Sequence, residues 1–586
     1  MIRFLQIVLL AFVVVSCANS ITAPTGGPKD VTPPKVVETI PENGSANFNT
    51  NKFLIKFNEF VFLENVQTMA LISPPMKKQP EFLTKGKSVQ VKFEEELKPN
   101  TTYSVYFGEA IVDITEKNPI KNYTYIFSTG EYVDSLSLTG TVYNAFDLKP
   151  IESTFVMLYK DNNDTIPLDS LPYFVVPYYL SKTDAAGKFR FDGLADAEYL
   201  LFAINDKNSS YIFDQPGEEI AFLDTLVRPI YIEKPIVDTI PTDSLYSIDI
   251  TQDSIIVIAD SLLPDSAVVN LDLGFDLYMF LSPDTIQRLV KAEVIEKNAV
   301  RFAFSQPATN VDFEFVQYPL DSFMYVKDFS ITKDTLYWYL NNPPNDSLEL
   351  LLTQNNDTLG TVYLSLDTDK RPKRLRKKDN EKVKEVLSWK SNVLSNKLTP
   401  DKHLIIRFSQ PNIRYNNLDS SLLVIGTDSI WNPEFIFNDS LNMEIAFPYD
   451  LQEDTKYKIH FPDSAFTSWN NIHTEEMNIN FNTMPLSEYG VFIFNLSPEK
   501  KQNYVLQFLT EKEVVVREFL FNSDTSATFL YLNPGKYLAK IIFDNDMNGI
   551  WSTGDYQKKK QPEKVIYFPK EIKVRANWDV EEEWDF

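Results

Sequence analysis

Apolar and polar residues alternate with a period of two along most of this chain, and that alternation constrains the fold more than any other feature. Phe53-Leu54-Ile55-Lys56-Phe57, Ser88-Val89-Gln90-Val91-Lys92-Phe93 and Thr102-Tyr103-Ser104-Val105-Tyr106-Phe107 each send successive side chains to opposite faces of an extended backbone. β-branched and aromatic residues dominate these runs, and turn residues punctuate them every 8–12 positions. The best helical pattern is short, Asn380 to Trp389. A length of 586 residues suggests about four domains. With 43 Phe and 29 Tyr against only 17 Gly, the chain can fill real cores and does not read as disordered or fibrous. The expected fold is all-β, a series of β-sandwiches joined end to end.

Composition removes several functions. Lys and Arg number 56 against 81 Asp and Glu, a net charge of −25 that repels phosphate backbones and excludes general nucleic-acid binding. A single Cys forbids an intrachain disulfide, and with three His it leaves no Cys/His zinc cluster.

The N-terminus reads as an address. Arg3 precedes an uninterrupted apolar run of nine residues, Ile7 to Val15, too short to span a membrane at about 20 residues but suited to a secretory signal peptide, residues 1–16. The only Cys follows in Val14-Val15-Ser16-Cys17, which resembles a bacterial lipobox, with Val14 where that pattern prefers Leu. The resemblance implies that Cys17 is lipidated, palmitate among its acyl chains, and anchors the protein in a membrane. By resemblance to the sorting rules of gram-negative cells, Ala18 after the Cys favours the outer membrane. With no acidic cluster before Asp30, the periplasmic face is favoured over the cell surface. The Gly-, Pro-, Ser- and Thr-rich segment to Pro34 reads as a tether, so 17–34 is the lipidated leader of the body.

The body repeats itself. Leu97-Lys-Pro-Asn-Thr101-Thr-Tyr103-Ser-Val-Tyr-Phe107 aligns with Leu451-Gln-Glu-Asp-Thr455-Lys-Tyr457-Lys-Ile-His-Phe461 at an offset of 354, which also carries Phe127 and Thr129 onto Phe481 and Thr483. With Pro41-Glu-Asn-Gly44 and Phe57-Asn-Glu59-Phe60 in the first copy, these segments, 31–131 and 393–485, resemble the SbsA-type bacterial Ig-like domain. The second copy lacks a clear opening Gly. A second repeat, at offset 338, carries Phe191, Leu194, Tyr199 and Asp206 onto Phe529, Leu532, Tyr537 and Asp544. Gly140-Thr-Val142, Thr183-Asp-Ala-Ala-Gly187-Lys-Phe189 and Tyr199 resemble the carboxypeptidase-regulatory or transthyretin-like β-sandwich, a module without catalysis of its own. It covers 136–235, with a degenerate copy at 487–586.

Between the pairs, 236–269 reads as a Pro/Asp/Ser/Thr-rich linker and 270–368 as a β-sandwich of another type. A basic linker with a short helix is expected at 369–392. Its Lys370–Lys378 run holds seven cations in nine residues, and reads either as a solvated linker or as a dock for an acidic partner or an anionic membrane.

Candidate chemistry is sparse. Asp544-Asn-Asp546-Met-Asn548-Gly549-Ile550 through Asp555 has the oxygen spacing of an EF-hand calcium loop, with Asp544, Asp546, Asn548, the Ile550 carbonyl and Asp555 as ligands and Gly549 at the turn. Position 12 is Asp rather than Glu and the flanks read as strands, so the alternative is an Asx-rich hairpin turn. No cofactor is required by this reading; Ca²⁺ is the one candidate. Asp-Ser/Thr-aliphatic triplets occur 16 times, against about two or three by chance. They resemble an O-glycosylation sequon of some gram-negative envelope proteins, or mark turns. His403, His460 and His473 fall in the second Ig-like copy, and read as separate histidines rather than a metal site. None of the GxSxG, HExxH, P-loop or GxGxxG motifs occurs. The expectation is a non-enzymatic envelope lipoprotein with a structural, scaffolding or interaction role and a protein partner. Its finer form is an accessory subunit of an outer-membrane assembly or transport machine. The rival is a glycan-binding lipoprotein using Trp338, Trp469 and Trp551.

Overall fold

A computed structural model describes residues 30–160, 166–231, 274–284, 286–296, 298–316, 324–343, 347–355, 357–366, 385–416 and 418–586. Cys17, the 236–269 linker and the Lys370–Lys378 run lie outside the described residues. The fold is all-β. It forms two compact units, one comprising residues to Tyr143, Pro150–Asp214 and Ala221–Met279, the other Asn144–Lys149, Gln215–Ile220 and Phe280–Phe586.

In the first unit, strands Val36–Ile40, Lys52–Phe57, Ser88–Lys92 and Glu81–Lys85 form one sheet, in that order. Strands Leu71–Ser73, Thr102–Tyr106 and Thr124–Ser128 form the facing one. The alternation read in the sequence becomes a core: Phe53, Ile55, Phe57, Val89, Val91, Tyr103, Val105 and Phe107 are all buried between the layers. Each such side chain contributes about 1.5–3 kcal/mol. The turn before Thr101 is closed by two hydroxyls. Tyr103 Oη accepts the Lys98 amide at 2.8 Å, while Thr129 Oγ1 accepts the Thr101 amide at 3.0 Å and donates to the Lys98 carbonyl at 2.7 Å. The Tyr103 ring stacks on Phe127, centroids 5.4 Å apart.

The second core of this unit gathers Leu138, Val142, Val156, Leu158, Phe189, Phe191, Tyr199 and Leu201. It also takes in Leu277 and Met279 from strand Phe275–Leu281. Here the expected boundary moves. The sequence pattern assigns everything from 270 onward to the next sandwich, but this strand fills the core of the one before. The reason is Gly140: a Cβ there would overlap the Phe275 carbonyl oxygen and the Phe189 ring, so only glycine lets the strand come so close.

Among the described residues, the second unit holds three more large cores, beside two small apolar clusters. The first lies between sheet Leu289–Glu296, Ala299–Phe304, Thr335–Leu340 and Tyr325–Phe329 and sheet Val311–Phe315, Ser347–Gln354 and Asp357–Ser365. The next lies between sheet Trp389–Ser391, Ile405–Phe408, Glu444–Ala446 and Ile436–Phe437 and sheet Asp428–Trp431, Leu422–Ile425, Lys456–Phe461 and Met477–Asn482. It repeats the hydroxyl closure of the first unit. Tyr457 Oη accepts the Gln452 amide at 2.6 Å, Thr483 Oγ1 accepts the Thr455 amide at 3.0 Å and donates to the Gln452 carbonyl, and Tyr457 stacks on Phe481 at 4.9 Å. This core also draws in Leu387, upstream of the expected edge at 393. The described part of the expected helix, from Glu385 on, is not helical. Leu387 is buried in the core, and Trp389–Ser391 pairs with Ile405–Phe408 as a strand. Its helical spacing belongs to residues that alternate into a sheet instead.

The last core packs sheet Thr525–Leu532, Gly490–Ser497 and Asp579–Asp585 on a sheet built around Asn503–Thr510 and Gly535–Asp544. The offset-338 repeat carries one detail across: Tyr199 Oη donates to the Ala195 carbonyl at 3.1 Å and Tyr537 Oη to the Asn533 carbonyl at 2.7 Å.

The Gly140 contact yields an expected outcome. Gly140→Ala should cost about 1–3 kcal/mol, in the range of overpacking. Hydrogen exchange should show Phe275–Leu281 losing protection before Leu200–Ile204 does. Unchanged protection of Phe275–Leu281 would contradict the placement of that strand.

Candidate functional site

The loop after strand Gly535–Asp544 brings the densest group of oxygen ligands among the described residues. Asp544 ends its strand buried, 3% exposed, and its two carboxylate oxygens each accept a loop amide at 3.0 Å, from Asn548 and from Gly549. Gly549 makes the second bond possible through its left-handed backbone, φ 76°. Asn548 Oδ1 accepts the Ile550 amide at 2.8 Å, and Asn548 Nδ2 donates to Ser552 Oγ, which donates in turn to Asp546 Oδ2 at 2.7 Å.

Glu563 closes the group, and the loop spacing in the sequence does not reach it. It is 1% exposed. Its Oε1 accepts the Asn545 amide at 2.7 Å and its Oε2 the Ser552 amide at 2.9 Å. Carboxylate oxygens of Asp544, Asp546 and Glu563 lie within 4.8 Å of one another. Burial pushes the Glu563 carboxyl up from its ordinary value, and the charge of Asp546 adds to the effect against the amide bonds that lower it. Glu563 lies beyond the twelve-residue loop template. The signal that marks it is its position as the next acidic residue after Asp555, just before the strand Val565–Tyr567 that returns beside Gly535–Asp544.

Asp555 does not join this group. Its carboxylate accepts the Lys558 amide at 3.2 Å and the Lys558 ammonium at 2.8 Å. Of the expected ligands, Asp544 and Asp546 converge, Asn548 and Ile550 brace the loop, and Asp555 pairs with a lysine. Backbone amides hold the Asp544 and Glu563 carboxylates, while Asp546 takes the Ser552 hydroxyl and lies 3.5 Å from the Lys560 ammonium. Chemically, such a trio of carboxylates suits a hard divalent cation, which takes oxygen ligands. The corresponding loop of the first unit keeps the shape with one of the three carboxylates, since Asn208 and Thr225 stand where Asp546 and Glu563 do. Asp206 accepts the Asn208, Ser210 and Tyr211 amides, and Tyr211 takes the left-handed conformation of Gly549.

The other candidates separate. His403 faces the Tyr449 carbonyl, His460 faces Asn478, and His473 faces Thr467 Oγ1 at 2.9 Å. Trp338 is fully buried among Phe302, Phe313 and Phe315. Trp469 packs beside Met443, and Trp551 donates its indole N–H to the Glu563 carbonyl at 2.9 Å. The exposed tryptophans are instead Trp431 and Trp578. Among the Asp-Ser/Thr-aliphatic triplets, the hydroxyl residues Ser135, Thr225, Thr358, Ser429, Ser440 and Ser464 are not buried, whereas Ala465 after the last of them is. Lys540 is 1% exposed beneath the Phe146 ring, its ammonium 3.6 Å from the ring centroid, and burial pulls its pKa down to about 8. No substrate could reach an amine so enclosed.

Comparison with known proteins gives a family for one segment. Residues 30–129 match the model of a bacterial Ig-like domain. No curated protein matches the chain. Similar solved structures include domains 1–6 of surface layer protein SbsC, 10% identical over 92% of this chain and 67% of that one, with a TM-score of 0.13. The major pilin subunit BcpA of Bacillus cereus is 10% identical over 77% of this chain and 99% of that one, at 0.12. The TIE protein of Bacillus anthracis is 10% identical over 96% and 76%, at 0.14.

The Asp544–Asp546–Glu563 geometry predicts that Ca²⁺ raises the melting temperature of the transition that reports the last sandwich, by about 2.7 kcal/mol of stability at a hundredfold excess over Kd. Glu563→Gln should abolish the response and Asp555→Asn should leave it intact, in calorimetry of the full chain with calcium and with chelator. Equal melting with and without calcium in the wild type reduces the loop to a polar turn.

Proposed function

We propose that this chain is a non-enzymatic lipoprotein of the bacterial cell envelope, held at the outer membrane through Cys17, with a structural or interaction role. The observation that carries the reading is the series of five closed β-sandwich cores, one of them matching a bacterial Ig-like domain. Such bodies bury their apolar residues in private cores and leave loops and sheet edges to meet partners. The repeated tyrosine closure supports reading 136–235 and 487–586 as one kind of spacer, of the carboxypeptidase-regulatory or transthyretin-like type. Within this class, an accessory subunit of an outer-membrane assembly or transport machine is the preferred role. The calcium loop then serves to stiffen the last sandwich rather than to catalyse. A glycan-binding role would draw on Trp431 and Trp578, the exposed indoles, rather than on Trp338, Trp469 and Trp551.

Fractionation tests the anchor. The wild type should partition with outer membranes and resist salt extraction, because acyl chains bury many CH₂ groups at about 0.8 kcal/mol each. Cys17→Ser should appear soluble or unprocessed. A Cys17→Ser variant that still partitions with outer membranes after high salt overturns the proposal.

A further inference from the structure

The two Ig-like copies present the same sheet face to different surroundings. In the first copy, the outward residues of strands Thr102–Tyr106 and Thr124–Ser128 are Thr102, Ser104, Tyr106, Thr124, Ile126 and Ser128. A second β-sandwich lies on them. Thr102 is buried, and its hydroxyl donates to Asp134 Oδ2 at 2.7 Å and accepts the Asp134 amide at 3.0 Å. Gly193 sits so close that a Cβ there would lie 3.2 Å from the Thr102 methyl and 3.5 Å from an Ile126 methyl. On the neighbouring strand the Leu180 amide donates to Ser73 Oγ at 3.0 Å.

At offset 354 these positions become Lys456, Lys458, His460, Asn478, Asn480 and Asn482. They stand in register: Lys456 opposite Asn482, Lys458 opposite Asn480, His460 opposite Asn478. Lys456, Lys458, Asn478 and Asn480 are exposed, and an open cleft of about 350 Å³ runs over this face beside Val424. A surface that is a contact between sandwiches in one copy is thus solvent-facing in the other, and its neutral hydroxyls have become a row of two ammoniums and an imidazole beside a ladder of carboxamides, with the Glu476 carboxylate 3.5 Å from the imidazole at the far end of the row. Such a row stands out on a chain of net charge −25.

The complement lies on the same chain. Among the described residues, the C-terminal strand Asp579–Asp585 pairs on one side only, parallel to Gly490–Ser497. Its outward side chains, Asp579, Glu581, Glu583 and Asp585, are all exposed, while Val580 and Trp584 turn inward. Alternate residues on any strand repeat at roughly 6.6–6.8 Å, so a row of carboxylates on one strand matches a row of cations on another in spacing as well as sign.

We propose that the Lys456–Lys458–His460 face docks the acidic strand Asp579–Asp585 of a second copy of this chain. The inference goes beyond the envelope-scaffold reading and stands without the lipid anchor. The contact joins two different patches, so it is heterologous and propagates head to tail unless its rotation closes a ring. The large like net charges oppose association at long range. Salt near physiological strength screens that repulsion beyond about 8 Å, and the local pairs act within it.

Sedimentation velocity of the full chain in mild detergent tests this over a concentration series. The wild type should form concentration-dependent species larger than the monomer, and they should dissociate in high salt. Lys456→Glu with Lys458→Glu should weaken association by about tenfold or more, as should Glu581→Lys with Glu583→Lys. These positions are exposed, and the one bond lost is that from Asn495 to Glu581 at 2.6 Å, so each variant should melt within about 0.5 kcal/mol of the wild type. All four reversals in one chain restore the pairing with inverted sign, and association should return. A wild type that stays monomeric, association indifferent to either reversal, or failure of the fourfold variant to recover would each overturn the proposal. A monomeric wild type that instead binds polygalacturonate through Lys456 and Lys458 would also overturn it, and assign the face to an acidic glycan.

Discussion

Closure of a turn by a buried tyrosine hydroxyl is the interaction on which the rest of each of the two bodies related by offset 354 depends. A long strand cannot reverse into the next without leaving amides and carbonyls at the bend, and buried ones cost about 1–3 kcal/mol each when unpaired. Tyr103 and Thr129 satisfy both polar groups of Lys98; Tyr457 and Thr483 do the same for Gln452. Each tyrosine ring lies in the core against the phenylalanine paired with it across the sheet, so one side chain ties the bend to the apolar interior. The sandwiches that carry Tyr199 and Tyr537 use a simpler form, a tyrosine hydroxyl bonded to the carbonyl four residues earlier.

Duplication with a fixed interior leaves the exterior to vary. The positions that face inward at offset 354, Tyr103 and Phe127 against Tyr457 and Phe481, keep their residue types and their stacking. The positions that face outward change class, from Thr102 and Ser104 to Lys456 and Lys458. Period two makes this separation sharp, because neighbours along a strand belong to different faces and can change independently. The loop at offset 338 behaves likewise. Asp206 and Asp544 hold the same kind of turn, but only the second copy adds the buried carboxylate of Glu563.

Much of this is legible in the sequence because it is periodic. Alternation marks the strands, and the register kept from Leu97 to Thr129 and from Leu451 to Thr483 marks the duplicated closure in the residues themselves. The strand Phe275–Leu281 is not legible, since it joins a core whose other strands end near Phe222, across a long intervening segment. Gly140 is its only mark, and one glycine in a strand has several explanations. Glu385 to Trp389 misleads for the opposite reason, its charged and apolar residues fitting a helix while the core claims Leu387 for a sheet. Glu563 is hidden because loop templates count along the chain, whereas this cluster of carboxylates is completed by the segment that leads into the returning strand Val565–Tyr567. Trp338 suggests a sugar platform on residue type alone, and burial decides otherwise.

A double-mutant cycle on Tyr457→Phe and Thr483→Val tests the closure most directly, read from the unfolding transition of that sandwich and repeated on Tyr103→Phe and Thr129→Val. Both hydroxyls serve one residue, Gln452 in one copy and Lys98 in the other, so each cycle should give a coupling energy of about 0.5–3 kcal/mol, equal in sign between the copies. Additivity within about 0.3–0.5 kcal/mol in both would mean that the two hydroxyls act independently, and would contradict the account.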